Sequence, residues 1–377
     1  MSAFGSAATA GVAADRRFME LALSLGRRGL GRTWPNPAVG TVIVKDAEIV
    51  GRGWTQPGGR PHAEVEALRR AGAMARGATL YVTLEPCSHH GKSPPCADAV
   101  IASGIARVVS AMEDPNPEVA GRGHARLRSA GIGVDVGIEA TTARGDHAGH
   151  IRRMRDGRPH VTLKLAISAD GKAAGAGRRR VAITGNAVRD RVHLMRARSD
   201  AIMIGVGTAL ADDPVLTCRL PGMAKMSPTR VVLDAGLQLP IQSRLVATAG
   251  ETPLWIIGGE GAPAASETAA RQCGVEVLRV AEKQGRLDLR EVLRLLAKRG
   301  ITRLMIEGGP TVASALIEAD LVDEAIFFHS PLVIGEEGLP ALEPRPAQLL
   351  KQHLERVSSE PVGPDRQETY ERGSDHV

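Results

Sequence analysis

The chain has 377 residues, 43% hydrophobic and 24% charged, a balance that excludes a disordered or collagen-like polymer and makes two domains the expectation. Its net charge of +6 is spread evenly, with 17 basic against 14 acidic residues in 1–150 and 31 against 28 in 151–377, so neither half reads as a nucleic-acid-binding arm. Nine aromatic residues in all force cores of Val, Ile, Leu and Ala, and argue against base-stacking platforms for single-stranded nucleic acid.

In chain order, residues 1–14 read as a disordered lead-in rather than a signal peptide. Asp15 is expected to cap a helix through about Arg28, with Phe18, Leu21, Ala22 and Leu25 at helical spacing. Two short strands (38–44 and 48–54) follow around a charged turn, then a helix over His62–Ala71 and a β-rich run at 79–84. A Pro/His/Gly loop leads to a helix near Cys96, a strand at 107–112, a second helix and a strand at 132–137. This alternation describes an α/β domain over residues 15–150. The Arg-rich stretch Glu139–Pro159 reads as a linking helix.

The α/β pattern restarts in the second half, 151–377. Strands are expected at 161–168, 201–205, 229–234, 253–259, 275–280, 303–309 and 325–330, with a helix at 288–300 and nothing structured after about Gly363. No apolar run reaches the roughly 18 residues of a membrane span. Four cysteines are too few for a disulfide scaffold in a chain this long, and point to thiols in a cytoplasmic protein. Cys218 and Cys273 read as structural.

The chemistry-bearing residues of the first half fall in two windows. His62-Ala63-Glu64 opens one helix, Glu85-Pro86-Cys87 ends a strand, and Cys96 follows nine residues beyond Cys87. His62, Cys87 and Cys96 are the three ligands a catalytic zinc takes, leaving one position for a water of lowered pKa. Glu64, two residues from the ligand histidine, is placed to shuttle protons. H-x-E with P-C-x-x-C is the signature of zinc nucleobase deaminases. Here eight residues separate the cysteines instead of two.

In the second half no G-x-G-x-x-G follows a strand, since 258–261 (GGEG) has the wrong spacing, so a Rossmann site is not supported. Glu307-Gly308-Gly309-Pro310-Thr311 lies between a strand and a helix, where glycines and free amides suit a phosphate.

The stretch TLEPCSHHGKSPPC, with PNPAVG before it and DPNPEVAGRG after it, resembles the bifunctional riboflavin-biosynthesis deaminase/reductases, which lengthen the loop between the ligand cysteines in this way. KLAISADGK and the segment from ITGNAVRD to CRLPG resemble the reductase half of that family. The resemblance implies a cytidine-deaminase-like α/β/α domain followed by a dihydrofolate-reductase-like α/β domain, with one Zn2+ in the first and NADPH in the second. It implies substrate contacts at Asn36, His89 and Lys92 in the deaminase, and at Arg180, Arg196, Leu216, Arg219 and Glu307 in the reductase. The implied NADPH site is Ala166, Ala182, Thr208, Asp212 and the turn Gly309, Pro310, Thr311, Val312, Ala313, Ser314 and Ala315. Arg180 and Ala182 stand where the family commonly has Ser and Trp, which removes a stacking surface and adds charge. The expected partner is a phosphorylated ribosylaminopyrimidine, with no nucleic acid and no membrane; a homo-oligomer is compatible with the sequence. Two other readings stay open at this level: a nucleic-acid deaminase with an accessory domain, and a deaminase whose C-terminal half is a non-catalytic binding or dimerisation module.

Overall fold

The computed structural model describes residues 3–91 and 94–373, and divides the chain into two compact units, Met1–Asp156 and Gly157–Val377. Position 150, where the sequence suggests a boundary, lies inside the last helix of the first unit.

The first unit contains α1 (Ala3–Gly26), β1 (Gly40–Lys45), β2 (Glu48–Trp54), α2 (Ala63–Ala71), β3 (Thr79–Val82), α3 (Cys96–Ser103), β4 (Arg107–Ser110), α4 (Arg122–Ser129), β5 (Gly133–Val136), α5 (Ala140–Asp146) and α6 (Ala148–Asp156). Its sheet has the order β2-β1-β3-β4-β5, antiparallel across β2, β1 and β3 and parallel from β3 to β5. The period of two along β1 splits the core between the faces. Val42 and Val44 join Met19, Ala22 and Leu23 of α1, whereas Ile43 packs with Ala67 of α2, Val100 of α3 and Leu127 of α4. Each fully buried Leu or Ile of these layers contributes about 1.5–3 kcal/mol.

Two expectations fail here. The leading segment is helical from Ala3, in keeping with the six alanines among residues 3–14 and their high helix propensity. Asp15 therefore sits inside α1 and caps nothing; its buried carboxylate accepts from Tyr81 Oη at 2.7 Å and from Arg107 Nη1 and Nη2 at 2.9 and 2.7 Å. The expected linking helix is two helices, α5 and α6, separated at His147.

The second unit contains β6 (His160–Ile167), β7 (Lys172–Ala174), α7 (Asn186–Ala197), β8 (Ala201–Gly205), α8 (Val206–Asp212), β9 (Thr229–Leu233), α9 (Arg244–Ala247), β10 (Leu254–Gly259), α10 (Ala264–Gln272), β11 (Glu276–Val280), β12 (Glu282–Lys283), β13 (Arg286–Leu287), α11 (Leu289–Lys298), β14 (Arg303–Ile306), α12 (Pro310–Glu318), β15 (Glu324–His329), β16 (Leu339–Pro340), α13 (Pro344–His353), β17 (Glu355–Val362) and β18 (Asp365–Glu371). Nine strands form one sheet in the order β11-β10-β9-β8-β14-β6-β15-β18-β17, parallel from β11 to β15, with β18 and β17 antiparallel at one edge. One buried cluster joins Ile202, Val232 and Ile256 to Leu245 and Ala270; another joins Val188 and Val192 of α7 to Met305 and Phe328.

The end of the chain is therefore structured, against expectation: β18 pairs β15 on one side and β17 on the other. Its alternation is carried by Asp365, Gln367 and Thr369, buried polar residues that no hydrophobic pattern discloses. Among the described residues no helix is long and apolar enough to cross a membrane. The four cysteines are free; Cys218 is buried as a structural residue would be, and Cys273 is exposed.

Candidate active sites

In the first unit the ends of two helices and one strand converge. His62 immediately precedes α2, Glu64 lies in its first turn, Cys87 follows β3 through Glu85-Pro86, and Cys96 is the first residue of α3. His62 Nδ1 lies 3.7 Å from Cys87 Sγ and 3.3 Å from Cys96 Sγ, and the three donor atoms all fall within 4.8 Å of one another. The Cys96 amide donates to Cys87 Sγ at 3.3 Å, a bond that favours thiolate. The thiol of Cys96, and then His62, pull the Cys87 thiol well below its usual range; the bond to Cys87 and burial push Cys96 up. Glu64 is 3% exposed, and burial pushes its carboxyl up to about 7, against the opposing charge of His62. One histidine and two sulfurs beside a buried carboxyl form a donor set suited to zinc.

Asn36 stands behind the histidine, with Nδ2 donating to the Gly59 carbonyl at 2.8 Å and lying 3.2 Å from His62 Nε2. Gly59 has φ +85°, and a Cβ there would meet the Asn36 side chain at 2.8 Å, so glycine is required for this contact. His89 is exposed on the loop, near Arg60. Lys92 lies outside the described residues.

Sequence reasoning missed the part played by Glu85. Its buried carboxylate accepts four backbone amides: Asp114 at 3.1 Å and Gly121 at 2.9 Å on Oε2, Gly123 at 2.7 Å and His124 at 3.1 Å on Oε1. A Cβ on Gly123 would fall 2.1 Å from the Pro86 carbonyl, so the loop and the segment leading to Cys87 are in direct contact. The glycines of GRG were the visible signal.

In the second unit, strand ends at the carboxyl edge of the parallel sheet build the second centre, where open α/β sheets bind ligands. Glu307 leaves β14, and Arg196 reaches it from α7: Nε donates to Oε1 at 2.6 Å and Nη2 to Oε2 at 2.8 Å. Burial alone would raise the Glu307 carboxyl, but Arg196 overrides it and holds the group down to about 2. Two cavities adjoin this pair. One, of about 290 Å³, is lined by Leu216, Arg219 and Arg244 among others; the other, of about 230 Å³, by Lys164, Ala166, Gly309 and Pro310. Arg180, Thr208, Asp212 and Glu307 line both. Gly309 donates its amide to Thr208 Oγ1 at 3.0 Å.

The structure thus brings together Ala166, Arg180, Arg196, Thr208, Asp212, Leu216, Arg219, Glu307, Gly309 and Pro310. It does not bring in Ala182, which is exposed off both cavities, nor Thr311, Val312, Ala313, Ser314 and Ala315. Beyond Pro310, α12 turns Ala313 into the core and Thr311 outward. Lys164 and Arg244 line the cavities without having been singled out; each is one of the many basic residues of this half.

The model of the cytidine and deoxycytidylate deaminase zinc-binding region matches residues 12–112, and that of the RibD C-terminal domain matches residues 159–367. Riboflavin biosynthesis protein RibD of Escherichia coli K12 is 45% identical over 347 residues, covering 87% of this chain and 92% of that protein. The Bacillus amyloliquefaciens protein of the same name is 42% identical, covering 93% and 94%. Among solved structures, Acinetobacter baumannii RibD superposes with a TM-score of 0.85 at 36% identity, covering 96% of this chain and all of that one. The diaminohydroxyphosphoribosylaminopyrimidine deaminase/5-amino-6-(5-phosphoribosylamino)uracil reductase of Thermotoga maritima gives 0.82 at 33% identity, again covering 96% and all of that chain.

A zinc-binding deaminase domain joined to a reductase domain defines a bifunctional deaminase/reductase. The matched residues span most of the chain in both comparisons. The chain belongs to the RibD family, the bifunctional enzymes of riboflavin biosynthesis.

Proposed function

We propose that the first unit deaminates 2,5-diamino-6-(ribosylamino)-4(3H)-pyrimidinone 5'-phosphate, and that the second reduces the ribosyl group of the deaminated product to ribityl with NADPH. The observation that carries this reading is the convergence of His62, Cys87 and Cys96 with the buried carboxyl of Glu64. Those three residues would hold one zinc ion, and their donor types fit it. Bound there, zinc supplies Lewis acidity and a water of lowered pKa. The Glu64 carboxylate takes the proton of the attacking water and returns it to the amine, which leaves as ammonia. Burial, which raises its carboxyl, favours its taking up the proton that it then returns. Asn36 holds the far edge of the His62 ring and offers an amide to the pyrimidine, while His89 and Lys92 belong to the loop that receives the sugar phosphate.

In the second unit the cavity lined by Ala166, Thr208, Asp212, Gly309 and Pro310 takes NADPH, and the one lined by Arg180, Leu216 and Arg219 takes the substrate. Bound there, NADPH would supply a hydride for ribosyl C1, and the ring oxygen that departs from this carbon must take up a proton for the sugar to open to a ribityl chain. The protein positions the two molecules, and the cofactor carries the chemistry. Asp212 stands where the two cavities meet; burial raises its carboxyl, and Arg180 opposes this.

The enzyme is incubated with the diaminopyrimidine phosphate, with and without NADPH, following ammonia and cofactor absorbance. Ammonia is expected in both incubations and cofactor oxidation after it in the second. Absence of ammonia overturns the deaminase substrate; ammonia without oxidation overturns that of the reductase.

A further inference from the structure

Four guanidinium groups, of Arg180, Arg196, Arg219 and Arg244, line the cavity of about 290 Å³ in front of Glu307. Arg196 is neutralised by its two bonds to Glu307. The side chains of Arg180, Arg219 and Arg244 make no hydrogen bond or ion pair with the described residues. The other acid in the wall, Asp212, bonds to none of them and feels only the charge of Arg180. The cavity therefore carries an excess of positive charge. Its effect on neighbours is visible: burial, then Arg196 and Arg244, pull the Arg219 guanidinium below its usual value, and burial, then Arg196 and Arg219, do the same to His193. Like charges gathered around one space repel until an anion joins them, and a phosphate monoester offers close to two negative charges and several acceptor oxygens.

The backbone of Arg244 is anchored at this wall, while its side chain is exposed. Arg244 opens α9, and its backbone amide donates to Asp213 Oδ1 at 2.8 Å. Asp213 has φ +36° and directly follows α8, the helix that carries Thr208 and Asp212. The residue is thus tied to the segment that leads on to Leu216 and Arg219. It lines the cavity of Leu216 and Arg219, and not the one of Gly309 and Pro310.

We infer that Arg244 is a phosphate ligand of the reductase site, closing with Arg180 and Arg219 on the 5'-phosphate of the substrate and selecting it over the dephosphorylated compound. The inference rests on the reductase reading above. It adds a residue to that site and gives the site a preference.

The test measures kcat/KM for NADPH-dependent reduction of the phosphorylated substrate and of its phosphatase-treated form, in wild type, Arg244→Ala and Arg244→Lys. Loss of one charge-assisted contact should lower the preference for the phosphorylated form by about 10-fold or more in Arg244→Ala. Arg244→Lys, which keeps the charge and loses the fork, should fall in between. Inorganic phosphate should raise the melting temperature of wild type, and raise that of Arg244→Ala less. An unchanged preference in Arg244→Ala, or a rise in KM for NADPH instead, overturns the inference while the reductase reading stands. A wild type that does not oxidise NADPH with the phosphorylated substrate overturns the reading and this inference with it.

Discussion

Arg196 and Glu307 meet edge to edge, with both carboxylate oxygens bonded by the guanidinium and both side chains close to nine-tenths buried. The third nitrogen of Arg196 donates to the Thr217 carbonyl at 3.1 Å, so one residue links the end of β14 to the segment carrying Leu216 and Arg219. Removing one partner strands the other. Arg196→Met should cost about 3–5 kcal/mol by leaving a buried carboxylate uncompensated, read as a lowered melting temperature. Arg196→Met with Glu307→Leu should regain part of that loss, because the pair is removed together, while Lys164 loses the charge of Glu307 that faces it. The pair also sets an acid limit. The Glu307 carboxyl is held from the ordinary value of 4.5 down to about 2, so its contribution to stability is present above 4.5 and is lost as pH falls through 2. A melting series across that window should show a slope that is shallower in the double variant, where the other lowered carboxylates, Asp15 and Asp114 among them, still contribute.

Glu64 is buried beside His62, Cys87 and Cys96, the side chains proposed to hold zinc, and is not itself one of the three donors. Glu64→Gln keeps the shape and removes the proton carrier. Deaminase kcat should fall by about 100- to 10,000-fold with zinc content unchanged and NADPH-dependent reduction intact. Loss of zinc from this variant would instead show that the carboxyl supports the metal.

The first site was legible because its residues sit in two short windows, 62–64 and 85–96, whose spacing is chemically specific. Of the second, only the turn Glu307–Thr311 was, apart from family resemblance: Lys164, Arg196 and Arg244 come from separate strands and helices, and a basic residue facing a cavity looks in sequence like one facing water. Glu85 was visible as part of a motif, but its four amide partners lie 29 to 39 residues further along the chain, with only the glycines of GRG to mark them. Strand β18 escaped because hydrophobic periodicity is blind to a strand whose inward residues are Asp365, Gln367 and Thr369. The helical start of α1 escaped because a small-residue, alanine-rich lead-in carries no alternation of polar and large apolar residues.

Zinc removal should change the thiols as well as the deaminase. Cys273 is exposed and should react with a thiol reagent in either state, whereas Cys218 and Cys96 are buried. Cys87 is half-buried, and hydrogen bonds from Cys96 and His62 hold its thiol far below the usual range. Chelation should therefore abolish ammonia release and expose a second reactive thiol. That thiol should stay reactive down to about pH 6, where an ordinary thiol slows. Cys87→Ser should remove this second reaction, and an unchanged thiol count on chelation would count against Cys87 as a ligand.

Glu85 fixes the 113–124 loop against the segment leading to Cys87. Glu85→Ala withdraws the acceptor from the amides of Asp114, Gly121, Gly123 and His124 at once, and each buried amide left unpaired costs about 1–3 kcal/mol before the loop relaxes. Hydrogen exchange at the four amides should rise together, as expected of a loop released from a single anchor. Because Pro86 lies between this carboxylate and Cys87, the released segment should also let the ligand drift, weakening zinc affinity by about 10- to 100-fold in a chelator competition, the scale seen when groups supporting metal ligands are lost. Glu85→Gln keeps one oxygen and replaces the other with a donor. It should preserve protection at Gly123 and His124 or at Asp114 and Gly121, but not at both pairs. Uniform protection in Glu85→Ala, with unaltered zinc affinity, would show that the loop holds its place without this residue.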